Sequence, residues 1–171
     1  MFALIVTESL FGNTLAIAEA VARGIAEVRG HDGVHVVHAS EAPLVLPEAL
    51  DLLVVGAPTH TLSMPNAGTR SDAARKSAVV ATPTGVREWI DTVALPHGAS
   101  VATFDTSIHT RIQLGTAASA AAKALRRRGA TVTAGPSFWV TGMEGPLADG
   151  ELARATAWGR QLAAPTVPAD R

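Results

Sequence analysis

Five short apolar runs, Ala3–Val6, Val34–Val37, Leu52–Gly56, Ser100–Phe104 and Phe138–Val140, alternate along the chain with stretches of helical periodicity near Leu15–Val28, Gly85–Val93, Thr116–Arg128 and Gly150–Ala163. Alternation of this kind leaves few folds open. Runs of Val, Leu and Ile without interleaved polar residues are strands buried on both faces, the mark of a parallel sheet, and right-handed crossovers then put helices on both sides of it. The expected class is α/β, a doubly wound three-layer sandwich on a five-stranded parallel sheet, with Gly129–Val132 opening the fifth strand region. Sheets wound this way bind ligands beyond the carboxyl ends of their strands, where the strand order reverses. A chain of 171 residues suits one such domain, read as 1–165, with 166–171 as a C-terminal tail.

The first strand leads into Thr7-Glu8-Ser9-Leu10-Phe11-Gly12-Asn13-Thr14, and helical periodicity follows at once, with Ile17, Val21 and Ile25 on one stripe and Glu19, Arg23 and Glu27 facing outward. This turn therefore sits at a helix N-terminus, where unpaired N–H groups and the positive end of the macrodipole favour a dianion. The loop carries no Lys or Arg. It lacks the G-x-x-x-x-G-K-[ST] of nucleoside triphosphatases and the G-x-G-x-x-G of dinucleotide folds, which leaves an uncharged, hydroxyl-bearing loop suited to one terminal phosphate. The plain alternative is an ordinary strand-to-helix turn capped by Asn13 or Thr14.

On these residues the chain resembles the flavodoxin family, whose first loop reads roughly Thr/Ser-x-Thr-Gly-x-Thr and holds the phosphate of FMN. Ser9, Gly12, Asn13 and Thr14 match that pattern, while Leu10 and Phe11 stand where the family has small or hydroxyl residues. The resemblance implies a flavodoxin-like sandwich with sheet order 2-1-3-4-5. It also implies two further flavin-binding loops, which here read Pro58-Thr59-His60-Thr61 after strand three and Phe104-Asp105-Thr106-Ser107-Ile108-His109 after strand four. The cofactor-binding residues implied are thus Ser9, Leu10, Phe11, Gly12, Asn13, Thr14, Pro58, Thr59, His60, Thr61, Phe104, Asp105, Thr106 and His109. The helix from about Gly150 to Ala163 closes a short-chain topology.

Flavodoxins commonly sandwich the flavin between a Trp and a Tyr from those two loops. This chain has no tyrosine, and Trp89, Trp139 and Trp158 fall on expected helices or the last strand, where they read as packing residues. An aromatic pair is worth roughly 0.5–1.5 kcal/mol beyond area burial, so the loss of both weakens FMN on the order of 10- to 100-fold. His60, His109 and Met64 are the available substitutes. A net charge of −1, against the acidity of electron-shuttling flavodoxins, favours an FMN oxidoreductase with a quinone-like acceptor over a pure electron carrier. The expected function is FMN-dependent electron transfer or reduction of a small acceptor, its redox partner unknown. The alternative is a flavodoxin-fold scaffold without tight FMN binding that acts through partner contacts.

Composition removes other classes. Near-neutral charge gives no electrostatic case for nucleic acid or an anionic membrane, and Arg126-Arg127-Arg128 reads as the basic end of a helix stopped by Gly129. The absence of cysteine excludes disulfides, thiol catalysis and thiolate metal sites. No window reaches the roughly 18 apolar residues of a membrane span, and Met1–Val6 lacks a leader's charged start, so the expected location is cytoplasmic. His31, His35 and His38 could suggest a metal site, but strand alternation sends His35 and His38 to opposite faces of the second strand, and no nucleophile elbow supports a triad of Ser9, His60 and Asp105. Glu8 and Asp105 are a candidate carboxylate pair, with Asp105 more simply ordering its loop. The long connection Ala57–Thr84 reads as a solvated flap with a short helical turn at Asp72–Lys76, or as a gate carrying Arg70, Asp72, Arg75 and Lys76.

Overall fold

The computed structural model describes residues 1–77, 82–97, 100–111 and 114–165, so the expected tail 166–171 and residues 78–81 of the long connection lie outside the described residues. Five parallel strands, β1 (Ala3–Thr7), β2 (Val34–His38), β3 (Leu52–Pro58), β4 (Ser100–Ile108) and β5 (Val132–Val140), form one sheet in the order β2-β1-β3-β4-β5. This is the sequence-expected order.

Strand alternation divides the apolar residues between two cores. Ala3, Ile5, Leu52 and Val54 face Ile17, Val21 and Ile25 of α1 (Asn13–Arg29) and Ala155 and Ala163 of α5 (Glu151–Ala163). Leu4, Val6, Leu53 and Val55 face Val86, Trp89 and Ile90 of α3 (Val86–Thr92) and Ala121 and Leu125 of α4 (Ala117–Arg127). Each fully buried Val, Leu or Ile contributes about 1.5–3 kcal/mol relative to exposure, which makes this two-sided burial the main support of the sheet. On the first face α1 and α5 cross closely enough that a Cβ on Gly24 would sit 2.0 Å from the Thr156 carbonyl oxygen, and one on Gly159 would sit 2.2 Å from that of Val21.

Three details differ from the sequence reading, each for a physical reason. First, β4 continues past Phe104 to Ile108, so Asp105, Thr106 and Ser107 belong to a strand and not to a loop. They pair on both sides, Ala57 opposite Asp105 and Pro58 opposite Thr106 on β3, and Ser137 opposite Asp105 on β5, which satisfies the backbone of a polar segment that reads as loop in isolation. Second, the long connection holds an eleven-residue helix, α2 (Ala67–Ser77), in place of a short turn. Asn66 and Thr69 cap its start reciprocally, Thr69 N–H donating to Asn66 Oδ1 at 3.0 Å and Asn66 N–H to Thr69 Oγ1 at 2.9 Å, while Ala73 and Ala74 are buried. Third, the basic run at the end of α4 also caps its neighbour: the Arg128 guanidinium donates to the carbonyls of Asp91 and Val93 at the end of α3, at 3.0 and 2.7 Å. Among the described residues, no helix is long and apolar enough to cross a membrane.

Candidate functional site

A cavity of about 340 Å³ opens at the carboxyl ends of β1, β3 and β4, the reversal point of this sheet. Ser9, Leu10, Phe11, Asn13 and Thr14 form one wall, Pro58, Thr59, His60 and Thr61 a second, and Thr106, Ser107 and Ile108 a third. Two further walls complete it, one from the stretch read as a flap or gate and one that escapes the sequence reading. One face of α2, Thr69, Asp72, Ala73 and Lys76 at helical spacing, closes one side, and Val140, Gly142 and Met143 from the end of β5 and the turn after it close another. The Asn66-x-x-Thr69 cap and the glycine-punctuated Thr141–Gly145 stretch are the sequence signals that mark these walls. The second is tied to the first loop by Asn13, whose side-chain amide donates to the Glu144 carbonyl at 2.9 Å.

α1 and α4 both begin at this edge, and their N-termini are treated in opposite ways. The first three N–H groups of α4 are all taken by protein oxygens: Ala117 donates to Thr59 Oγ1 at 2.8 Å, Ala118 to Asp105 Oδ2 at 3.2 Å and Ser119 to Thr116 Oγ1 at 3.1 Å. α1 begins instead after Gly12, whose left-handed φ of 85° suits glycine, with no side-chain cap. Beside it the Ser9 hydroxyl is buried and, among the described residues, without a hydrogen-bond partner. Thr14 Oγ1 lies 2.8 Å from Thr106 Oγ1 in a buried pair; one hydroxyl donates to the other, which keeps one O–H of the pair free to donate elsewhere. The only Lys or Arg among the described lining residues is Lys76, on α2.

Of the sequence-expected residues, four fall outside the cavity lining. Gly12 supplies the turn. Phe104 is buried against Phe138 and Trp158 on the α1–α5 side, its ring filling the space that a Cβ on Gly56 would occupy at 2.0 Å. Asp105 faces α4, where its Oδ2 also accepts from Ser137 Oγ at 3.1 Å, and burial pushes its pKa up against these hydrogen bonds. His109 is exposed and packs edge-on against Trp139, with ring centroids 4.9 Å apart. None of the tryptophans lines the cavity: Trp89 is in the α3–α4 core and donates its indole N–H to the Pro43 carbonyl at 3.1 Å, and Trp158 packs on Phe104 and Phe138.

Glu8 and Asp105 do not form a pair, since Glu8 turns toward α2 and α3. There it meets the buried Arg70, whose Nη1 lies 3.4 Å from Glu8 Oε1, while Arg70 Nη2 donates to Glu88 at 2.9 Å and to the Pro83 carbonyl at 3.1 Å. Glu8 Oε2 accepts from Val86 N–H at 2.9 Å. Gly85 makes room for this cluster: a Cβ there would sit 2.2 Å from Glu8 Oε2 and 2.5 Å from Arg70 Nη1. Burial pushes the Glu8 pKa up despite the Val86 N–H and Arg70. Burial acts the same way on Glu88, but Arg70 and the Gly85 N–H outweigh it and lower that pKa. The helix expected to be part of a solvated flap is thus anchored by an ion cluster that is 3–4% exposed at Arg70 and Glu8.

His60 sits at the base of a two-residue turn, its N–H donating to the Ser63 carbonyl at 2.9 Å and Ser63 N–H donating back at 3.1 Å. Thr61 and Leu62 both hold positive φ, 48° and 64°, conformations that cost non-glycine residues about 1–3 kcal/mol each and that cluster at functional sites. Burial lowers the His60 pKa and the charge of Arg70 adds to the effect, against a hydrogen bond with the Thr69 backbone.

No family model and no curated sequence matches the chain. Solved structures do. A flavodoxin from the domain Archaea is 23% identical, with a TM-score of 0.63 over 95% of this chain and 96% of its own. Oxidised flavodoxin 1 from Bacillus cereus is 19% identical, with a TM-score of 0.62 over 93% and 95%. The two-electron reduced flavodoxin of Megasphaera elsdenii is 17% identical, with a TM-score of 0.58 over 94% and 99%. At these identities the likeness is one of architecture, and it accords with the strand order: the chain has the flavodoxin-like fold.

Proposed function

We propose that this chain binds FMN in the cavity at the carboxyl ends of β1, β3 and β4 and serves electron transfer or the reduction of a small, quinone-like acceptor. One observation carries the reading: the uncapped N-terminus of α1 stands beside the buried, unpartnered Ser9 hydroxyl, whereas the neighbouring α4 N-terminus is fully capped by the protein's own oxygens. Buried donors without acceptors are uncommon in folded proteins, and a phosphate at this point satisfies both the hydroxyl and the first-turn N–H groups without a cationic side chain. Ser9, Asn13, Thr14 and Thr106 would hold the phosphate end, while the Pro58–Thr61 segment, Ser107 and Ile108 would flank the ring.

FMN, when bound, supplies the redox chemistry, and the protein supplies position and electrostatics. The walls fit an open and modest site. No Trp or Tyr stands in the lining, and the flat rings offered are His60 and Phe11. Lys76 on α2 adds a positive charge at the wall, which favours an anionic reduced ligand. The protein purified with FMN should be yellow, and added FMN should be quenched in fluorescence and raise the melting temperature. A colourless protein with neither response overturns the reading.

A further inference from the structure

The charge on the cavity wall formed by α2 is not balanced. Asp72 and Lys76 both line the cavity, one turn apart, and Asp72 is answered by Arg75 on the same helix. Lys76 is exposed and, among the described residues, pairs with no carboxylate. These three side chains therefore leave one positive charge at the wall. It is held in place, because Arg70, on the same helix, is buried between Glu8 and Glu88. Other parts of the lining are apolar and open: Ile108 is 48% exposed and Met143 58%, and the half-buried Phe11 belongs to the same cavity. Large apolar side chains left open around one cavity mark a surface that a ligand covers.

We propose that the small acceptor of this site is an aromatic anion, a flat apolar ring bearing a carboxylate or sulfonate, whose charged group pairs with Lys76 while its ring lies against the apolar lining. The proposal rests on the flavin reading, since an acceptor is needed only where a reduced flavin supplies electrons. On that reading the phosphate of FMN is matched by the α1 N-terminus and the Ser9 hydroxyl, which leaves the Lys76 ammonium for a second anion. Recognition is non-covalent: no bond forms or breaks at Lys76, and the ammonium keeps its protons. The chain's formal net charge of −1 supplies no general attraction for anions, so the preference is local to this wall. An ion pair in open water gains little, whereas one at the wall of a partly apolar cavity is less screened. The expected preference is about three- to tenfold for the anion over a neutral ring of the same size.

Calorimetric titration of the full chain, FMN-loaded and flavin-free, with naphthalene-2-sulfonate and with 2-naphthol compares rings of one size that differ in charge. In the loaded protein wild type should bind the sulfonate about three- to tenfold more tightly, Lys76→Arg should keep that preference, and Lys76→Gln should abolish it. Raising the salt from about 0.05 to about 0.5 M should shrink the wild-type preference and leave Lys76→Gln unmoved. Turnover gives a second reading. The kcat/KM of the loaded protein for 1,4-naphthoquinone-2-sulfonate relative to 1,4-naphthoquinone should fall by the same factor in Lys76→Gln, and comparing variants cancels the differing potentials of the two quinones. A sulfonate preference that survives Lys76→Gln, equal binding of both probes by wild type, or binding of neither overturns the proposal. Failure of FMN to bind is read by its own titration and overturns the flavin reading; the drop in sulfonate affinity from wild type to Lys76→Gln in the flavin-free protein then still decides whether α2 holds an anion.

Discussion

Thr14, in the first turn of α1, and Thr106, near the end of β4, stand 92 residues apart in sequence and share a buried 2.8 Å contact between their hydroxyls at the cavity wall. One of the two must donate to the other, and the remaining proton is the one available to a ligand. Thr14→Val keeps the shape and removes that relay. Since hydrogen bonds to charged groups are worth about 1.5–3 kcal/mol, FMN should weaken on the order of 10- to 100-fold, whereas riboflavin, which lacks the phosphate, should change by no more than about threefold. Parallel titrations of both ligands check this, and equal losses would place the phosphate elsewhere.

Ser9 provides the complementary case, because its hydroxyl is buried without a partner in the free protein. Ser9→Ala removes a group that makes no hydrogen bond, so the stability of the free protein should stay within about 0.5 kcal/mol of wild type or rise. FMN affinity should fall by about tenfold. Urea denaturation without flavin, combined with FMN titration, separates the two effects. A destabilised free protein would mean that Ser9 has a structural partner.

Arg70 tests whether α2 is a wall or a loose flap. Removing one member of a buried ion cluster leaves the other charges uncompensated and typically costs about 3–5 kcal/mol. Arg70→Met should therefore destabilise the protein by that order, and amide exchange across Ala67–Ser77 should rise well above that of the sheet. Gly85→Ala should do similar damage, since its Cβ would collide with Glu8 and Arg70. A variant of near wild-type stability and unchanged α2 exchange would contradict the anchoring role.

The buried carboxyls also set a pH dependence. Burial holds Glu8 and Asp105 above the usual carboxylate range, so folding favours their protonated forms. Their contribution is complete below the unfolded-state pKa and is lost as pH rises through the raised folded-state values. Glu88 runs the other way: its pKa is lowered, so its contribution is present above the ordinary value and is lost as pH falls through the lowered one. Asp105→Asn should therefore flatten the decline in stability between the usual carboxylate range and neutrality. Urea midpoints across that window measure it, and an unchanged slope would show that Asp105 does not titrate there.

The sheet was legible because β1 and β3 are runs of apolar residues buried on both faces, and the α1 stripe Ile17–Val21–Ile25 follows the first of them directly. The upper half of β4 was not legible. Asp105, Thr106 and Ser107 are polar, and what makes them strand is pairing with both neighbours, a tertiary fact absent from the local pattern. The same holds for α2, whose polar sequence lacks a strong apolar stripe and is held by Arg70 reaching residues 62 and 18 positions away, Glu8 and Glu88. Thr14 and Ser9 could be named from sequence because the strand-to-helix turn fixes them locally. The β5–α5 wall could not, and α2 was legible only as a stretch that could gate the pocket, since both depend on where distant segments fold back.

The central claim is that the uncapped α1 N-terminus receives the phosphate of a flavin mononucleotide. Titration of the purified protein with FMN and with riboflavin, at equal ionic strength, tests it most directly. FMN should bind at least about tenfold more tightly than riboflavin, the difference being the phosphate contribution. Equal affinities, or no binding of either ligand, would contradict the account.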